Sequence, residues 1–273
     1  GINAEYGEMQ DINAVLKALQ SLIIQQCIEG NTTLQICTFA DDLFAKYNLQ
    51  ITFPFCISLN QEVDFVSPCY ESQSQTLKFM DVCRVRFGVF YIRPLEICTS
   101  FLVPHAQQKH KDLLVEGDLA KSFKCFKQIL TTFSTIPDQI SEPQIQNQLE
   151  EILQQYNQKL LFPHPFTIKN NRIKFDLFLS PKNLKTVDTQ NHFVYQLQKS
   201  NSAGGSAQDK AMIQKIHKCV KFNPFSLRQI PRTGWRWNCG NFDVYLVTRA
   251  QSGEFLHFLF EVGLVPLVVN AVE

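Results

Sequence analysis

Six histidines, nine cysteines and a scatter of carboxylates are the residues of this sequence that could do chemistry. The histidines are His105, His110, His164, His192, His217 and His257, and none of them forms the HExxH or HxH spacing that offers paired imidazoles to a metal ion. Cys27, Cys37, Cys56, Cys69, Cys83, Cys98, Cys125, Cys219 and Cys239 never fall into a CxxC pattern. Several lie inside apolar strings such as Pro54-Phe55-Cys56-Ile57, where a free thiol packs as a small hydrophobe. An odd number of cysteines in a long chain points to reduced, structural thiols and a reducing compartment. Glu150 and Glu151 sit in a Gln-rich amphipathic stretch and read as a solvated face rather than an acid/base pair.

A second kind of chemistry, contact with phosphate, is offered by Lys210, Lys215, Lys218, Lys221, Arg228, Arg232 and Arg236, which follow Asp209 with no acid among them. Lys215 and Lys218 share a helical face. The segment is either an ordinary solvated helix face or a surface that displaces counterions from nucleic acid. Trp235 and Trp237 would share one face if extended, to stack on RNA bases or to pack a loop onto the core; Pro224 and Phe225 read as packing residues. The chain carries 26 Lys and Arg against 25 Asp and Glu, so nucleic-acid contact requires a local patch rather than a global basic field.

The elements that must position these groups follow from periodicity. Asp11–Gln26 and Leu34–Tyr47 read as amphipathic helices, the first with Asp11 as its N-cap. Val82–Val89 alternates as a strand, with Cys83, Val85, Phe87 and Val89 opposite Arg84 and Arg86, and Ile51–Leu59 and Leu95–Val103 are strand-like. Helices return at Asp118–Phe133 and Ile145–Leu161. Strands follow at Phe166–Lys169, Ile173–Leu179 and Phe193–Leu197. Ser200–Gln208 reads as a flexible loop. A basic helix at Lys210–Phe222, turn formers over Asn223–Cys239, and strands at Phe242–Thr248 and Phe255–Val269 complete an α+β pattern. With 45% hydrophobic residues in 273, the chain supports a substantial core, expected as one domain over residues 1–273. No apolar run approaches the roughly 20 residues of a membrane span. Gly1–Gln10 shows no signal or transit peptide, so a soluble cytoplasmic or nuclear protein is expected.

Thr52–Pro68 (TFPFCISLNQEVDFVSP) resembles the matching strand of the type 2 methionine aminopeptidases and their non-enzymatic relatives through Phe53, Pro54, Ile57, Ser58, Asn60, Ser67 and Pro68. Phe79–Gly88 (FMDVCRVRFG) and Cys98–Val103 (CTSFLV) are similar to two further family strands, in order. Phe222–Leu227 (FNPFSL), continued by Arg228, and the closing hairpin Asn241–Pro266 resemble the proliferation-associated, ErbB-receptor-binding branch. The resemblance implies a pita-bread (creatinase/methionine aminopeptidase-like) fold, with residues 200–240 a reduced insert. Two departures stand out: side loops and insert are trimmed, and no Lys-rich stretch precedes Glu273.

The family's enzymes hold two divalent metals with two Asp, one His and two Glu. The resemblance sets the first Asp on Arg86, the second near Glu96, the His on or near Tyr156, the first Glu on Asp176 and the last on Leu256 or a neighbour. A substrate-side His falls at or beside Phe65, where no His is present. A guanidinium at Arg86 puts a permanent positive charge where cations should sit, so no enzyme, metal or cofactor is expected. Asp176 is left as a residual ligand, as the partner of Arg86 or another basic group in the former active site, or as a solvent-facing carboxylate.

By the same resemblance, the non-enzymatic branch implies a monomer on the large (60S) ribosomal subunit near the polypeptide exit tunnel. Its basic segment would meet rRNA and its concave face exit-tunnel proteins, with nascent chain a further partner; the nucleus and nucleolus join the cytoplasm as expected locations. A histone- or peptide-binding module, a structural subunit of another large assembly and a residual metalloaminopeptidase remain open alternatives.

Overall fold

The structure, a computed structural model, describes residues 16–90, 94–133, 140–169, 172–198, 207–230, 242–251 and 253–262. Strand alternation sorts the molecule into two faces. In β2 (Val82–Phe90), Cys83, Val85, Phe87 and Val89 enter the main hydrophobic core, as the sequence pattern predicts, and Arg84 and Arg86 take the opposite face. The same split runs through β3 (Pro94–Leu102), β6 (Arg172–Ser180) and β10 (Leu256–Val262), whose core residues include Leu95, Ile97, Phe101, Phe175, Leu177, Leu256 and Phe258.

These strands form an antiparallel seven-stranded sheet with β1 (Gln50–Leu59) at one edge and β4 (Lys159–Leu160) at the other, in the order β1-β2-β3-β10-β6-β4, with β5 (Phe166–Lys169) also paired to β6. One face is covered by helices. Residues 16–26 (α1), α2 (Thr33–Lys46), α3 (Gly117–Phe133) and α4 (Glu142–Gln155) feed Ile23, Phe44, Phe126 and Leu149 into the same core. Capping boxes start α2 (Thr32 with Gln35) and α4 (Ser141 with Gln144), satisfying orphan N–H groups reciprocally. The helix expected to run to Leu161 ends at Gln155, because Asn157 takes a left-handed φ of 53° and the chain leaves as β4.

A smaller sheet, β8 (Phe225–Ser226), β7 (Thr186–Leu197) and β9 (Phe242–Ala250), is ordered β8-β7-β9. On one side α5 (Ala207–Val220) buries Met212 and Ile216 against Tyr195, Leu197 and Phe225. The other side meets the polar face of the large sheet: Val194 and Tyr245 pack with Phe53 and Cys56, and Ala250 with Val63, Phe178 and Phe255. β7 begins seven residues before the expected Phe193, and its polar first half pairs with β9 through two register shifts. Asp11, most of the expected loop at 200–208 and the end of the last expected strand lie outside the described residues. Among the described residues no helix is long and apolar enough to cross a membrane.

Candidate functional site

The face of the large sheet turned away from the helices carries Arg84 and Arg86 on β2, Glu96 and Cys98 on β3, Lys174 and Asp176 on β6, and His257 on β10. Register brings them together: Arg86 lies opposite Cys98, and Leu259 lies opposite both Cys98 and Asp176. Asp64 and Phe65 enter from the segment after β1, and Tyr245 closes the pit from β9. Phe65 holds a left-handed φ of 66°, with its N–H donating to Asp64 Oδ1 at 2.7 Å, which fixes the Asp64 carboxylate beside Arg86.

Arg86 is the centre of the pit. One guanidinium nitrogen, Nη1, donates to Asp64 Oδ2, and Nη2 donates to Glu96 Oε2 at 2.9 Å. The guanidinium carbon lies 4.6 Å from the Phe53 ring centroid and 5.5 Å from that of Phe65, an arrangement that stabilises a desolvated cation. Burial alone would lower the Arg86 pKa, but Asp64, Glu96 and Asp176 outweigh it and raise it, so the charge is permanent. Glu96 also accepts from Lys174 Nζ at 3.2 Å. Burial pushes the Glu96 pKa up, yet Arg86 and Lys174 bring it below its ordinary value.

Beside this cluster runs a second chain of contacts. His257 Nε2 lies 2.6 Å from Asp176 Oδ1 and its Nδ1 lies 3.1 Å from Cys98 Sγ. With Nε2–H donating to Asp176, Nδ1 is left to accept the Cys98 S–H. The ring stacks on Phe178 at 3.7 Å, and the His257 N–H donates to Ser100 Oγ at 2.7 Å. Asp176 is held below its ordinary pKa because His257, Arg86 and Lys174 outweigh the upward push of burial. A thiol, an imidazole and a carboxylate in line resemble the parts of a cysteine nucleophile. Cys98, however, is 1% exposed and its pKa is raised by burial, so it is a protonated, inaccessible thiol rather than a nucleophile.

Of the residues the sequence nominated, the structure brings Phe65, Arg86, Glu96 and Asp176 together, and it sets Tyr156 and Leu256 elsewhere. Leu256 is fully buried in the helix-side core. Its neighbour His257 takes the pit position, since a one-residue step along a strand reverses the face. Tyr156 caps α4 and packs against that same core, on the wrong side of the sheet. Asp176 pairs with His257 as its basic group, and Arg86 takes Asp64 and Glu96. Sequence reasoning missed Asp64, Cys98 and Lys174, and reached His257 only as an unnamed neighbour of Leu256. The available signal was alternation: once Arg86 is on the pit face, so are Cys98, directly across the ladder, and every second residue of the neighbouring strands.

A dinuclear metal centre needs several carboxylate or imidazole donors converging on two ions about 3.5–4 Å apart. Here Asp64 and Glu96 are engaged by a guanidinium, Asp176 by an imidazole, and the ground between them is held by a fixed positive charge. Among the described residues no group of three or more His, Cys, Asp or Glu side chains is placed to hold a metal ion. The donor set does not fit a pair of metals.

The basic segment divides. Lys210, Lys215, Lys218 and Lys221 are exposed on and just after α5. Arg228 is turned inward: its Nε donates to Asp41 at 2.8 Å, and its terminal nitrogens donate to Ser67 Oγ at 2.9 Å, the Pro68 carbonyl at 2.8 Å and the Phe55 carbonyl at 3.3 Å. It staples the segment after β8 to β1 and α2, which removes it from the set that could meet phosphate. Arg232, Arg236, Trp235 and Trp237 lie outside the described residues.

No protein-family model matches the sequence, and no curated protein matches it. Solved structures do match. A thermophilic Arx1 is similar with a TM-score of 0.74 at 13% identity, over 94% of this chain and 88% of that one. The methionine aminopeptidase of Thermotoga maritima is similar with a TM-score of 0.54 at 11% identity, over 94% of this chain and 93% of that one. That of Rickettsia prowazekii reaches 0.53 at 9%, over 97% and 95%. At these identities the likeness is one of architecture. The chain has the pita-bread fold of the methionine aminopeptidases, in a single domain whose central pit is built around an arginine.

Proposed function

We propose that this chain is a catalytically inactive member of the methionine-aminopeptidase fold that works by binding. In this reading it docks on the large ribosomal subunit near the polypeptide exit tunnel, as a monomer, in the cytoplasm with access to the nucleus and nucleolus. The exposed lysines of α5 meet rRNA, and the side that carries the pit faces exit-tunnel proteins and nascent chain. The single observation that carries the inactive half is the Arg86 guanidinium held by Asp64 and Glu96, a cation on the ground that divalent ions would need. The ribosomal half is supported by the sequence resemblance to the non-enzymatic branch and by the exposed lysines of a chain whose net charge is only +1.

Co-sedimentation with 60S subunits at graded salt tests the binding half. Salt-sensitive pelleting that is weakened by K215E/K218E is expected, because phosphate contacts act mainly through counterion release. Pelleting unchanged by salt and by charge reversal contradicts the rRNA contact, and absence of pelleting contradicts the ribosomal reading. Release of Met from a short peptide by the pure protein with cobalt or manganese contradicts the inactive half.

A further inference from the structure

On the helix-covered side of the large sheet, opposite the pit, α1, the segment after β3 and α3 enclose a groove of about 1100 Å³. Its lining is one-sided in charge. Lys17 comes from α1, Lys109 and Lys111 from the segment after β3, and Lys127 from α3, and among the described residues no Asp or Glu lines it. Glu29, just past the groove's Ile28, is engaged by His105 at 2.6 Å. In a chain with 25 acids and 26 Lys and Arg, four lysines from three separate elements facing one groove without a carboxylate make a strong local field.

The groove also holds an unpartnered donor. Gln20 is 5% exposed, lines the groove, and its Nε2 has no hydrogen-bond partner among the described residues. A buried amide donor left unpaired is costly, so its place in the lining points to an acceptor supplied from outside. Neutral donors (further glutamines, Ser21 and Thr131) alternate with the lysines, over a floor that includes Ile24.

We infer that this groove binds the sugar–phosphate backbone of single-stranded RNA, the lysines taking phosphates and the amides and hydroxyls taking ribose and base-edge oxygens. An acidic peptide is the competing polyanion. It would need a strand edge or apolar anchor pockets to fix it, whereas this lining offers dispersed cations and neutral donors, the partners of phosphate and ribose. The site shares no residue with α5 and does not rest on the ribosomal reading.

The test uses the full chain and fluorescence anisotropy with a labelled 20-nucleotide poly(U) across a salt series. Removing three phosphate contacts with K109Q/K111Q/K127Q is expected to weaken binding on the order of a hundredfold at low salt and to make the log–log salt slope shallower by about two. All three side chains lie at the surface, so unchanged thermal unfolding is the control for folding. A second variant, K210Q/K215Q/K218Q/K221Q, separates the surfaces. Loss confined to the α5 variant overturns the groove assignment and leaves the proposed function standing; loss confined to the groove variant supports it and counts against α5. A poly-Glu 20-mer that binds at least as tightly as poly(U), and is weakened by the groove variant alone, assigns the site to an acidic protein and overturns the RNA inference. No measurable binding of poly(U) by the native chain overturns it outright.

Discussion

The two faces of the seven-stranded sheet obey different rules. On the helix side, Phe126 stacks on Phe258 at 3.7 Å and Phe175 on Phe260 at 4.8 Å, and the core is a continuous apolar mass. On the pit side, neighbouring residues of the same strands hold Arg86, Glu96, Lys174 and Asp176 in named pairs. Two adjacent arginines sharpen the point. Arg84 is buried with no carboxylate partner among the described residues: it donates to the carbonyls of Phe255 at 3.2 Å, Asn60 at 2.6 Å and Glu62 at 2.6 Å, lies over the Phe255 ring, and burial lowers its pKa to about 10. Arg86, two residues on, is held by acids. An apolar face tolerates many sequences, whereas a polar face stands or falls with its partners.

The comparison is tested first by paired substitutions read by denaturant unfolding. Phe258→Ala is expected to destabilise by about 3–5 kcal/mol through transfer and cavity terms. Arg86→Met is expected to destabilise by about 3–5 kcal/mol because it strands the buried Asp64 charge. The two faces should then separate. Arg86→Met with Asp64→Leu should recover much of the loss, since replacing both partners removes the unpaired charge, while Arg86→Met with Phe258→Ala should add. Additivity of the Arg86/Asp64 pair within about 0.5 kcal/mol would mean that the ion pair carries no coupling.

A backbone feature comes next. A Cβ on Gly88 would lie 2.7 Å from Thr52 Oγ1 and 3.0 Å from the Phe53 backbone nitrogen, at the irregular register of β1 against β2. Gly88→Ala is therefore expected to destabilise by about 1–3 kcal/mol, and to disturb Phe53 and the Arg86 cation stacked on it. An unchanged melting curve would show that the strands separate without strain.

The pH dependence follows from the lowered pKa values of Glu96 and Asp176. Because the folded values lie below the unfolded ones, the stability these groups contribute is complete above the ordinary carboxylate range of about 4 and is lost as pH falls through the lowered folded values. Acid unfolding of Glu96→Gln should show less of this dependence than the native chain. Equal acid curves would contradict the pairing. At the small end, Lys218→Gln on α5 should change stability by no more than about 0.5 kcal/mol, as befits an exposed side chain.

Much of this was legible in the sequence because alternation reports burial directly. The sides of Cys83, Val85 and Phe87 against Arg84 and Arg86 could be read from β2 alone, and the pita-bread fold followed from the motif resemblance. The pit was read less completely. Leu256 and His257 differ by one position, and a resemblance without a clear anchor cannot tell which faces inward, although that step decides the chemistry. Tyr156 was misplaced because the Gln-rich helix ends at Gln155, ahead of Asn157, whose left-handed backbone has no signature beyond its residue type. Arg228 looked like one more member of a basic run. Only tertiary contact with Asp41, 187 positions away in sequence, shows it to be an internal staple.

The central claim is that Arg86 holds the place where metals would have to bind. Titrating Mn(II) into the pure, metal-stripped protein by isothermal calorimetry tests it most directly. The account expects no stoichiometric binding in the native chain. Saturable uptake of two ions per chain, abolished by Asp176→Asn, would contradict it.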